Sequence, residues 1–69
     1  MFWMCSDETV INLNYVKYFY KQDTEDVPDS KSRIVFVYKN GNSLTDTYGS
    51  KEERDYAYDT LINELGVII

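Results

Sequence analysis

Apolar and polar positions are most regular over residues 32–39, where Ile34, Phe36 and Tyr38 fall on one side of an extended chain and Arg33, Val35, Val37 and Lys39 on the other. This predicts a strand that is apolar on both faces. Asn40-Gly41 follows, and an Asn-Gly pair between two extended runs predicts a two-residue type I′ turn, which needs positive φ at both central positions. Lys39 and Asn42 then pair across the turn. The return run SLTDTY, 43–48, is polar enough for a sheet edge. From Ser50 onward the period lengthens, and Ala57, Tyr58, Leu61, Ile62 and Leu65 form one apolar stripe of helical spacing. Ser50 and Glu53 have the spacing of a capping box, while Glu52, Glu53 and Asp55 suit the positive end of a helix dipole. Gly66 suits the position just beyond the helix. A helix is therefore predicted over about 51–65, followed by the apolar tail VII.

The N-terminal half reads as strand material. MFWMC, 1–5, is a short apolar run. In 9–22 the apolar positions Ile11, Leu13, Val16 and Phe19 change spacing, which predicts two strand pieces, 8–13 and 16–22, joined by a bend or bulge near Asn12–Tyr15. A continuous helix also fits positions 13, 16, 17 and 20, but β-branched and aromatic residues dominate and favour strand. Residues 22–31 carry Asp23, Glu25, Asp26 and Asp29 with the only proline, Pro28, and predict a polar hairpin loop. The glycine and final glutamate of an EF-hand are missing, so a solvated acidic loop is preferred to a cation site. The elements assemble into one α+β domain, 1–69: a small antiparallel sheet of about four strands, drawn from segments at about 1–5, 8–13, 16–22, 32–39 and 43–48, with one C-terminal helix packed on one face.

A chain of 69 residues hides only about 60% of its unfolded surface, and domains this small commonly gain stability from disulfides, a metal or a partner subunit. One cysteine cannot close an internal disulfide, and no histidine is present to help hold zinc. Oligomerisation is what remains. The helix covers one sheet face, while Val35, Val37 and the tyrosines crowd the other, so a second copy of the chain is expected to cover it, giving a homodimer or larger ring. Trp3 in the MFWM segment and the VII tail are further contact candidates. The net charge of −5 excludes the broad basic face of a protein that binds nucleic-acid duplex, and is compatible with a basic protein partner. No run of about 18 apolar residues predicts a membrane span. MFWMC is too short for the apolar core of a signal peptide, and a single thiol fits a cytoplasmic location.

Catalytic chemistry is sparse. Without histidine there is no imidazole base, and Cys5 in its apolar run reads as a small buried hydrophobe. No phosphate-binding glycine motif occurs, and Gly41, Gly49 and Gly66 all have turn or cap uses. The expectation is a non-enzyme without cofactor. Two binding roles are open. In the first, the acids Asp23, Glu25, Asp26, Asp29, Asp46, Glu52, Glu53 and Asp55 dock on a basic patch of a protein target, against the plainer alternative that they keep an aromatic-rich chain soluble. In the second, an oligomer sequesters a small anion such as a nucleotide, with Arg33, Lys39 and Arg54 on phosphate and Tyr18, Tyr38 or Tyr58 stacked on a base. Arg33 equally suits the flank of a strand, and Arg54 a pairing with acids on its own helix.

The order ETVINLNYVKYF, loop, RIVFVYKNGNSL, helix resembles the small flagellar FlbD-like family, and more broadly the short sheet-plus-helix proteins of bacteria and phages. The chain lacks that family's early Asn-Gly turn and has a longer acidic loop and a stronger helix, so neither a flagellar role nor a catalytic residue is carried over. In size and charge it is similar to phage-encoded inhibitors of host defence, some of which bind a nuclease or sensor while others absorb its nucleotide signal. That similarity implies an anti-defence inhibitor in the cytoplasm of a bacterial or phage-infected cell.

Overall fold

A computed structural model describes residues 1–24 and 31–65. It contains strands β1 (Phe2–Met4), β2 (Val10–Asn12), β3 (Val16–Thr24), β4 (Lys31–Tyr38) and β5 (Ser43–Tyr48), then helix α1 (Lys51–Glu64). The α+β class, the antiparallel pairing and the single C-terminal helix agree with the sequence reading. The strands divide differently, however: β1 and β2 form a separate hairpin, and β3-β4-β5 form a three-stranded sheet. Strands β3 and β4 also extend to Thr24 and from Lys31, into the expected 22–31 loop. Glu25, Asp26, Pro28 and Asp29, like Gly66 and the VII tail, lie outside the described residues.

The change in apolar spacing between Leu13 and Phe19 has a direct structural cause. A 3-10 turn, Leu13–Tyr15, separates β2 from β3, and the Asn12 side chain caps it by accepting the Asn14 N–H at 3.0 Å. A bulge between Val16 and Tyr18 then adds one residue to β3. With that extra residue, Val16 and Phe19 face the same side although three positions apart.

The β4-β5 turn corrects the type I′ expectation. Gly41 has φ +93°, but Asn40 does not enter the left-handed region. The Gly41 N–H donates to the Tyr38 carbonyl at 3.0 Å and the Tyr38 N–H to the Asn42 carbonyl at 2.7 Å. The Asn40 side chain accepts the Asn42 N–H at 2.9 Å, a local bond that holds the turn without positive φ at Asn40. Tyr38, not Lys39, therefore faces Asn42, and the register slips by one residue to pair Ile34 with Asp46 and Phe36 with Leu44. A one-residue slip moves side chains to the other face, and here it turns Asp46 inward. Gly41→Ala is expected to cost about 1–2 kcal/mol in a urea titration, because the added Cβ meets nothing within 4 Å and only the backbone conformation is penalised.

One core forms on the side of the sheet that α1 covers. Ile34, Phe36 and Leu61 are fully buried there, joined by Cys5, Ile11 and Leu13. The Phe19 ring lies 5.9 Å from Phe36 and meets Tyr58 edge-on at 5.5 Å, an arrangement that aromatic pairs favour. Helix α1 begins as expected, with the Glu53 N–H donated to the Ser50 hydroxyl at 3.1 Å. Its buried face differs from the predicted stripe. Arg54 and Leu61 are its buried residues, while Leu65 is 38% exposed. Positions 54, 57, 58 and 61 share one helical face, so the guanidinium enters the interior at the end of α1 nearest the β3-β4 strands' far ends.

Candidate functional site

Ten strand positions with described side chains face away from α1: Tyr18, Tyr20 and Gln22 on β3, Lys31, Arg33, Val35 and Val37 on β4, and Ser43, Thr45 and Thr47 on β5. None is acidic, although the chain carries a net charge of −5. Asp23 and Asp46 occupy the opposite parity, towards the helix. Tyr18 and Tyr20 are 51% and 41% exposed and their rings stack at 6.2 Å. Val35 belongs to this open face but is itself 6% exposed, lying in the register between Tyr20 and Thr45, so what it offers a partner is limited by its neighbours. Val37 is half-buried.

The cations expected to meet phosphate do not converge within one chain. Arg54 is 1% exposed and committed to the fold: its Nε lies 2.7 Å from Asp55 and its Nη1 3.1 Å from Asp23, and Nη1 also reaches the carbonyls of Arg33 at 3.3 Å and Gln22 at 3.4 Å. Burial by itself discourages the guanidinium charge, but the bonds and attraction from Asp55 and Asp23 outweigh it and hold the pKa above the ordinary arginine value. The reciprocal bond from Arg54 keeps the Asp55 pKa below its ordinary value, assisted by Lys21 at 3.2 Å. Arg33 lies on the opposite face, half-buried. Lys39 stands beyond the other end of β4, about 20 Å from Arg33 at the rise of an extended chain. Tyr58 is taken up by Phe19 and by the Lys21 ammonium, 4.8 Å above its ring.

Tyr38 and Lys39 do come together, with Tyr15 and Asn40, around an open, mainly apolar depression of about 360 Å³. The Lys39 N–H, donated to the Tyr15 carbonyl at 2.9 Å, brings the 3-10 turn beside the β4-β5 turn and forms this wall. Sequence reasoning missed Tyr15, because only the tertiary contact between two turns places it there.

The acidic and N-terminal candidates are redistributed too. Asp23 and Asp55 hold Arg54, and Asp46 is 2% exposed, accepting the Ser6 N–H at 3.0 Å and the Ser6 hydroxyl at 2.6 Å. These three do not form an outward acidic surface. Trp3 turns inward opposite Ile11 and packs against the core, so it is not the contact residue expected; Phe2, Met4 and Val10 occupy the outer face of the β1-β2 hairpin and are 68%, 62% and 56% exposed. Cys5 is buried, and that burial, with the nearby charges of Asp46 and Asp7, pushes its thiol pKa up to about 12. Such a thiol is protonated at neutral pH and is a poor nucleophile. The Tyr48 hydroxyl is pushed up by burial and then by Asp46. Among the described residues no group of three or more carboxylate, cysteine or histidine ligands could hold a metal, and no helix is long and apolar enough to cross a membrane.

The class these features define is a small α+β protein with one covered and one open sheet face. No protein family, curated protein or solved structure matches the chain.

Proposed function

We propose that this chain is a small non-catalytic binding protein that self-associates and acts in the cytoplasm as an inhibitor of a protein target, in the manner of phage anti-defence proteins. The supporting observation is the open sheet face. Its stacked Tyr18 and Tyr20, the valines beside them and the exclusion of every carboxylate give a carboxylate-free, aromatic surface, with Lys31 and Arg33 as cations, on an acidic protein. Tyrosine combines a broad apolar ring with a hydroxyl that remains satisfied in water or in an interface, which suits a surface that is alternately free and bound. In this reading the tyrosine-rich face carries the contact, and the remaining outward acids, such as Glu52 and Glu53, steer a basic target towards it.

The Tyr15-Tyr38-Lys39-Asn40 depression favours a second role, sequestration of a small aromatic anion such as a nucleotide, since two tyrosines and a lysine line one opening. Native mass spectrometry of freshly purified protein separates the two. A bare oligomer is the expected result, and a target protein should then be captured by it. An oligomer that carries a stoichiometric small-molecule mass, lost on denaturation, replaces inhibition with sequestration. A bare monomer at micromolar concentration removes the self-association on which both rest.

A further inference from the structure

We infer that the self-association proposed above, on which this step rests, is made edge to edge: β3 pairs antiparallel with β3 of a second copy about a two-fold axis through Tyr20, joining two three-stranded sheets into one of six strands. The backbone geometry selects this edge. The Tyr38 N–H is donated to Asn42, towards β5, so alternation along β4 directs its even positions to β5 and its odd positions to β3. The bond from the Lys39 N–H to the Tyr15 carbonyl obeys the same alternation. Through the register, Tyr18, Tyr20 and Gln22 then bond to β4, while Phe19, Lys21 and Asp23 turn their N–H and C=O groups to the outer side. No backbone hydrogen bond from a described residue meets them there. The other edge is already engaged, because the outward Thr47 carbonyl accepts the Ser6 hydroxyl at 2.7 Å.

Charge selects the register. Tyr20 is the midpoint of β3, Val16–Thr24, so an axis through it gives the longest overlap, regular from Tyr18 to Gln22 and ending at the Val16–Tyr18 bulge of each copy. That pairing sets Lys17 opposite Asp23 of the second copy at both ends, Phe19 opposite Lys21, Tyr18 opposite Gln22, and Tyr20 opposite itself. A slip of one pair in one direction sets Lys17 against Lys21, and in the other Lys21 against Lys21. Like charges directly opposite are destabilising, and further slips shorten the overlap. Lysines on an edge ordinarily oppose pairing, but Lys21 is folded over the helix side, bound to Asp55 at 3.2 Å and lying over the Tyr58 ring. The pairing also joins the two open faces, so that Tyr18 and Tyr20 of both copies form one aromatic strip in the middle of the enlarged sheet.

A cysteine at the axis tests this arrangement. Residues facing each other at a non-hydrogen-bonded antiparallel position have Cα atoms about 4.5 Å apart, within the range a disulfide spans. Tyr20→Cys is expected to give a covalent dimer under mild oxidation, with the buried native Cys5 silent, whereas Thr45→Cys, on the same face but on the opposite edge strand β5, is not. If the wild-type protein is an oligomer and Tyr20→Cys fails to cross-link, or Thr45→Cys cross-links as readily, the edge pairing is wrong while self-association stands. A wild-type monomer overturns both. Lys17→Asp, which sets two carboxylates opposite each other at each end, is expected to weaken the dimer roughly tenfold with an unchanged circular dichroism spectrum. An unchanged dissociation constant would count against the register.

Discussion

Replacing Phe36 with alanine is expected to leave the chain largely unfolded at room temperature. Phe36 is fully buried at the centre of β4, the middle strand of its sheet, between Phe19 and Leu44 in the register and in the same cluster as Ile34 and Leu61. Truncation removes the ring's transfer free energy and opens a cavity that the paired strands on either side cannot collapse into, a loss of about 3–5 kcal/mol. At the usual stability per residue, a 69-residue domain has only about 3–10 kcal/mol in total. Urea titration followed by circular dichroism should show the wild-type transition displaced to near zero denaturant. Phe36→Leu, which keeps most of the volume, should retain a cooperative transition at a cost of about 1–2 kcal/mol. A Phe36→Ala protein within about 1 kcal/mol of wild type would mean that the core is not centred on this ring.

Arg54→Ala is expected to cost about 3 kcal/mol, for reasons of both packing and charge. The side chain is 1% exposed and joins α1 to β3 through Asp23 and to both sheet strands through the carbonyls of Gln22 and Arg33. Removing it leaves a cavity, two carboxylates without their common partner and two carbonyls without a donor. Asp23 and Asp55 retain access to water, which keeps the cost below that of a wholly buried pair. Arg54→Met, which fills the space without the charge, should recover about half of the loss. The same contact sets an acid dependence. The folded-state pKa of Asp55 lies below its unfolded value, so between the two the unfolded chain binds more protons. This contribution is complete above the ordinary carboxylate pKa, near 4, and is lost as pH falls through the lower folded value. The urea midpoint of the wild type should therefore fall on acidification in that window, and Arg54→Ala should show a shallower fall. Equal slopes for the two proteins would contradict the role assigned to this arginine.

Local chemistry is the part of this protein that could be read along the chain. The Ser50 cap, the alternation of 34–38, the strand 43–48 and the irregularity between Leu13 and Phe19 each depend on residues within one or two turns, and each is found where the residues place it. The turn at Asn40-Gly41 was legible only in part. Its glycine takes positive φ as the dipeptide suggests, but the Asn40 side chain bonds ahead to Asn42 and moves the register by one residue. From that single slip follows the burial of Asp46 and the absence of acids from the open face. The binding candidates fared least well for a related reason. Whether Arg54, Trp3 or Asp23 meets solvent or another side chain depends on residues about 20 to 30 positions away or on a different strand, and charge or aromaticity alone carries no record of that.

The sequence by itself determined an acidic α+β chain with a capped terminal helix, a strand apolar on both faces, and no histidine chemistry, because these rest on composition and short-range periodicity. Tertiary structure alone decided that the strands divide into a hairpin and a three-stranded sheet, that Arg54 is an internal tie instead of a surface cation, and that the outer edge of β3 is open among the described residues. The physical reason is that burial and hydrogen-bond satisfaction are properties of non-local pairs: a guanidinium, an indole or a strand edge acquires its role only from what the rest of the fold places beside it.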